Sequence, residues 1–100
     1  MIKKDFQLQL QVSFIKEGDK FIAHSPALDI STSGDTLDQA KNRFEELSSS
    51  FLEECVHMGT LEDVLTELGW HKSEKNQMSD ENWVPPTIIG QGSHQVQIRV

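Results

Sequence analysis

Four histidines, one cysteine and sixteen carboxylates are the groups in this 100-residue chain that could bind a metal ion, attack a substrate or move a proton. Cys55 and His57 stand two residues apart in a stretch that reads as helix, so their side chains point in different directions. Cys55 also lies on the apolar stripe of that helix, which predicts a buried structural thiol rather than a nucleophile. His24, His71 and His94 are scattered over three different elements and suggest no common metal site. One type of metal-dependent nuclease gathers several acids around its ions, with one of them in the middle of the first strand. The first strand here offers Gln7, Gln9 and Gln11 on its polar face, and a carboxamide does not replace an anionic ligand. Asp29 and Asp35 remain, at strand and helix ends where acids serve as turn and cap residues. The chain has no P-loop, GxGxxG, CxxC or HExxH motif. The expectation is a non-enzyme with no catalytic residue, metal or cofactor.

The acids are clustered. Residues 29–67 hold ten of them against Lys41 and Arg43, a net of −8, while residues 1–28 net +1 and residues 68–100 balance. An overall charge of −7 lacks the basic footprint of a sequence-independent nucleic-acid binder. A solvated helix face accounts for such a cluster; so does a surface that steers a basic partner. A single cysteine excludes an intrachain disulfide and fits a reducing compartment. No apolar run approaches the roughly 18 residues of a membrane span, and no signal-peptide core opens the chain, so a cytoplasmic location without membrane contact is expected.

The elements that position these groups follow from periodicity. Phe6, Leu8, Leu10, Val12 and Phe14 alternate with Gln7, Gln9, Gln11 and Ser13, which predicts a strand with one face on a core. Glu17-Gly18-Asp19 reads as a hairpin turn, and Phe21–His24 as the returning strand. Pro26 interrupts, and Leu28–Ser33 is a short third strand ending at Gly34-Asp35. Thr36-Leu37-Asp38-Gln39 fits a capping box. Beyond it Leu37, Ala40, Phe44, Leu47, Phe51, Leu52, Cys55 and Val56 recur at steps of mostly three and four, predicting a helix of roughly 30 Å that Gly59 closes. Thr60-Leu61-Glu62-Asp63 caps a shorter helix, and Gly69 ends it before Trp70. Residues 71–92 read as a polar, proline-containing loop, and Val96, Ile98 and Val100 alternate with Gln95, Gln97 and Arg99 as a last strand. That last strand completes the sheet or pairs with another chain. The whole is expected to be one α+β domain over residues 1–100: a three-stranded antiparallel meander plus a final strand, one face covered by a long and a short helix.

Phe21-Ile22-Ala23-His24-Ser25-Pro26-Ala27-Leu28, followed by Gly34-Asp35-Thr36 and then Ala40-Lys41-Asn42-Arg43-Phe44-Glu45, resembles the HicB-like antitoxin family. The likeness runs from about Phe6 to Trp70 and more loosely through Pro85-Pro86 to the last strand. It implies a degenerate ribonuclease H-like fold without nuclease activity, whose members bind and block a HicA-type toxin, a small basic ribonuclease. Many members add a DNA-binding domain; these 100 residues leave no room for one, so no direct DNA binding is expected. Leu28-Asp29-Ile30 departs from the Leu-Pro-Gly-Cys that many members carry, which alters the third strand. Within the shared motif Ala23, Pro26, Leu28, Gly34, Asp35, Thr36, Ala40 and Asn42 read as fold determinants. Glu45, Glu46, Glu53 and Glu54 are the candidate partner contacts, and Trp83 either packs on the sheet or anchors an interface. The expected partners are a HicA-like toxin and further copies of the chain. The alternative is a stand-alone homo-oligomer with an RNA- or ligand-related role and no toxin.

Overall fold

A computed structural model describes residues 8–72 and 83–100. Three antiparallel strands, β1 (Ser13–Glu17), β2 (Lys20–Ser25) and β3 (Ile30–Gly34), pair in the order β1-β2-β3. Two helices follow, α1 (Leu37–Met58) and α2 (Leu61–Glu67), and then a small second sheet in which β4 (His71–Lys72) pairs with β5 (Trp83–Val84). The architecture is therefore α+β, as periodicity indicates. The alternating stretch at residues 95–100, expected as a last strand, forms none, and it pairs with no strand among the described residues. The β4–β5 pair falls inside the stretch 71–92 expected as a loop; Phe6 and Gln7, and residues 73–82 of that stretch, lie outside the described residues.

Register explains where the sheet stops. Glu17 pairs with Lys20 around a two-residue turn whose first central residue, Gly18, has φ +63°, as a type II′ turn requires. Counting back, Ser13 pairs with His24, so the residues before Ser13 face the point where Pro26 ends β2. Proline cannot donate to a ladder. The first strand is accordingly shorter in hydrogen-bonded terms than its alternation from Phe6, and begins at Ser13. Residues 8–12 keep the alternation as burial: Leu8, Leu10 and Val12 are half-buried while Gln9 and Gln11 are exposed.

Phe14 does not follow its neighbours inward. It is 45% exposed, and Ile15 on the opposite face is 47% exposed. Helix α1 packs chiefly on β3 and β2, and among the described residues no strand pairs with the outer edge of β1. The Lys41 ammonium sits 5.6 Å from the Phe14 ring centre instead. The third strand also starts later than expected, at Ile30. Pro26–Asp29 form a turn closed by the Asp29 N–H donating to the Pro26 carbonyl at 3.2 Å, with Asp29 at φ 56°. Aspartate tolerates that left-handed geometry better than most side chains.

The helix ends follow from capping chemistry. Thr36 Oγ1 accepts the Gln39 N–H at 3.0 Å, and Gln39 Oε1 accepts the Asp35 N–H at 2.6 Å, one residue before the usual capping-box donor. At the other end Gly59 adopts φ 71°, and the Gly59 and Thr60 N–H groups donate to the Val56 and Cys55 carbonyls, a Schellman closure. Thr60 was expected to cap α2 with its hydroxyl, but that group turns back to the Cys55 carbonyl, because Thr60 already belongs to the closing motif of α1. Gly69 (φ 97°) repeats the device after α2, with Trp70 N–H donating to the Leu65 carbonyl.

Two apolar clusters result. Ala23, Ala40 and Phe44 join sheet to helix; Ala27, Leu28, Leu65, Trp70 and Trp83 form the other; Leu10 and Ile30 pack against both. The buried stripe of α1 is narrower than its periodicity. Leu37, Leu47 and Val56 are exposed: α1 packs chiefly on β3 and β2, which do not reach the full width of the stripe. Among the described residues no helix is long and apolar enough to cross a membrane.

Candidate protein-binding surface

The acidic face is built by α1. At about 100° per residue, Glu46 and Glu53 point within about 20° of each other and roughly opposite Phe44 and Cys55, which are buried. Glu45 and Glu54 flank that line by about 90° on either side, and all four carboxylates are exposed. Among the described residues none of the four takes part in an ion pair. The two helices touch each other, and α2 continues the acidity with exposed Glu62, Asp63 and Glu67. Glu62 forms an ion pair with Lys72.

Glu62, Asp63 and Glu67 rim an open concavity of about 690 Å³ whose lining includes Trp70 and Trp83. Trp83 is 9% exposed and belongs to the second core cluster, with the Lys72 ammonium 5.5 Å from its ring centre. It thus packs inside the fold while contributing to the wall of the concavity. A second groove, of about 420 Å³, runs between Gln9 and Gln11 on one side and Pro85–Ile88 on the other, with Pro26 and Ala27 also in its wall.

The motif residues do different work. Ala23 and Ala40 are fully buried and meet at the sheet–helix contact. Leu28 is buried in the second cluster, and Pro26 opens the turn that places it there. Gly34 lies beneath the start of α1: a Cβ there would stand 2.7 Å from the Ala40 nitrogen. Asp35 and Thr36 hold the helix start, and Asn42 is exposed on the outer side of α1. Asp35 also accepts from Lys20 Nζ at 2.5 Å, and this bond, reinforced by the Lys20 and Arg43 charges, holds its carboxyl below the usual carboxylate range.

Trp70 is the residue that the sequence pattern undervalues. It is 3% exposed, and its Nε1–H donates to the Ala27 carbonyl at 2.8 Å, pinning the β2–β3 turn from 43 residues away. Its position directly after Gly69 marks a hydrophobic contact, but not the partner. Arg43 is a second case: Nη1 donates to the Ser33 carbonyl at 3.0 Å and ties α1 to β3.

Among the described residues no group of three or more His, Cys, Asp or Glu side chains is placed to hold a metal ion. His24, on β2, and Asp29, in the turn beyond it, join no such group. No family model, curated protein or solved structure matches this chain.

Proposed function

We propose that this chain is a non-catalytic, cytoplasmic HicB-like binding protein that blocks a HicA-type ribonuclease toxin by covering its basic RNA surface. One observation carries the reading: an exposed carboxylate face on α1, opposite the buried stripe and continuous in sign with α2. Acids on a rigid helix present a fixed negative surface, which raises the rate of encounter with a basic partner. The motif residues support the fold side of the reading, since Ala23, Gly34, Thr36 and Ala40 occupy positions where size or capping chemistry leaves little choice. No direct contact with DNA forms part of the mechanism.

The test is co-expression with a short basic protein encoded beside this gene. A stable complex is expected at micromolar concentration. Glu46→Lys with Glu53→Lys should weaken it at least about tenfold, as loss of a close charge pair does, while leaving the unfolding midpoint within error. Absence of any complex with that neighbour, or a complex indifferent to both reversals and to salt, overturns the reading. The alternative, a stand-alone homo-oligomeric HicB-like protein with an RNA- or ligand-related role, draws on a separate observation: the edge strand β1, which exposes Phe14 on one face and Ile15 on the other. Co-expression separates the two, since only the first reading expects a complex with the neighbouring basic protein.

A further inference from the structure

Residues 87–100 belong to no helix or strand, and every residue from Pro86 to Val100 is exposed. Among the described residues none beyond Val84 makes a backbone hydrogen bond. Yet this segment is not composed like a linker. Ile89 is 97% exposed, Val96 76% and Ile98 79%, and the last six residues alternate apolar with polar as a half-buried strand does. Elsewhere in the same chain the matching vacancy exists. Strand β1 is an edge, and residues 8–12 extend it past the end of β2 with Leu8, Leu10 and Val12 already turned toward the core. An open edge of this length offers unpaired N–H and C=O groups to any extended segment.

We propose that residues 94–100 add as a strand to the β1 edge of a second copy of this chain, including its 8–12 extension, and that the second copy returns the exchange. Three observations favour a second copy over the chain's own edge. The segment leaves its own fold beside Gln9 and Gln11, across the 420 Å³ groove, without bonding to them. Pro85 and Pro86, on the far side of that groove, cannot donate to a ladder. Gly90 and Gly92 then supply a joint before the alternating stretch. Exchange of identical segments between two copies closes the assembly and removes both edges at once. The inference holds whether or not the chain meets a toxin.

Light scattering on the full chain should give twice its 11.3 kDa mass at micromolar concentration. Val96→Asp with Ile98→Asp should return it to a single chain with its helical circular dichroism unchanged, because these side chains touch nothing in the monomer's core. In a Cys55→Ala background, a Gln11→Cys chain mixed with a differently tagged Gln97→Cys chain should crosslink between copies through a short bis-maleimide. Three results overturn the proposal: a single-chain mass throughout, a dimer that the two aspartates leave intact, or a Gln11→Cys/Gln97→Cys double variant that closes its crosslink within one chain.

Discussion

Gly34 shows how one hydrogen atom in place of a methyl decides a junction. A Cβ would meet the Ala40 nitrogen at 2.7 Å and the Gln39 carbonyl carbon at 3.0 Å, both backbone atoms that move only if the helix moves. Gly34→Ala should therefore destabilise by about 1–3 kcal/mol, read as a fall in the urea midpoint. An unchanged midpoint would mean that α1 starts farther from β3. Trp70→Phe keeps most of the apolar area but removes the donor to Ala27, leaving a buried carbonyl unpaired at a cost of about 1–3 kcal/mol. Ser25 offers the opposite case: it is fully buried and its Oγ has no partner, so Ser25→Ala should be neutral or stabilising in the same assay. At this scale the sequence was readable where size speaks for itself, as at Ala23 and Ala40. It was silent where a partner lies far along the chain, as between Trp70 and Ala27.

At the scale of elements, helix ends were the most legible feature, because their signals are local. Thr36, Gln39 and Gly59 mark α1 within one residue of its observed bounds. Thr36→Ala should cost about 1 kcal/mol of stability, with the loss appearing in the unfolding free energy and faster amide exchange confined to the first turn of α1. Strand β1 was legible as a pattern but not as a ladder. Periodicity reports which way side chains point, whereas pairing depends on a partner that Pro26 cuts short. The helix stripe misled for a related reason, since Leu47 and Val56 follow the period but overhang a sheet too narrow to receive them. The Lys20–Asp35 pair links the start of β2 to the start of α1. Its lowered carboxyl pKa means that the unfolded chain binds more protons across the carboxylate range. The pair's contribution is thus present above that range and lost as pH falls through the folded value. Lys20→Met should remove that part of the pH dependence, a small difference between the two proteins' stability profiles on the acid side of the ordinary carboxylate range, because both groups are exposed.

For the whole molecule, the two apolar clusters are joined rather than separate. Leu10 and Ile30 pack against both, so the sheet–helix contact and the tryptophan cluster should unfold together. Both tryptophans lie in one cluster, while most of the helix lies on α1. Fluorescence and far-ultraviolet circular dichroism should therefore trace coincident thermal transitions; displaced midpoints would show the clusters to be independent. The carboxylate face was visible in the sequence as a charge imbalance and needed only the helix phase to become a surface. What covers β1 was not visible, because an edge is defined by what stands beside it. The lone thiol follows from the same architecture. Cys55 is 6% exposed, on α1, and its carbonyl anchors the closure into α2. An alkylating reagent can reach it only when the helical layer parts, so its rate of labelling counts the excursions of the native ensemble, and this protein carries its own clock for how often its core opens.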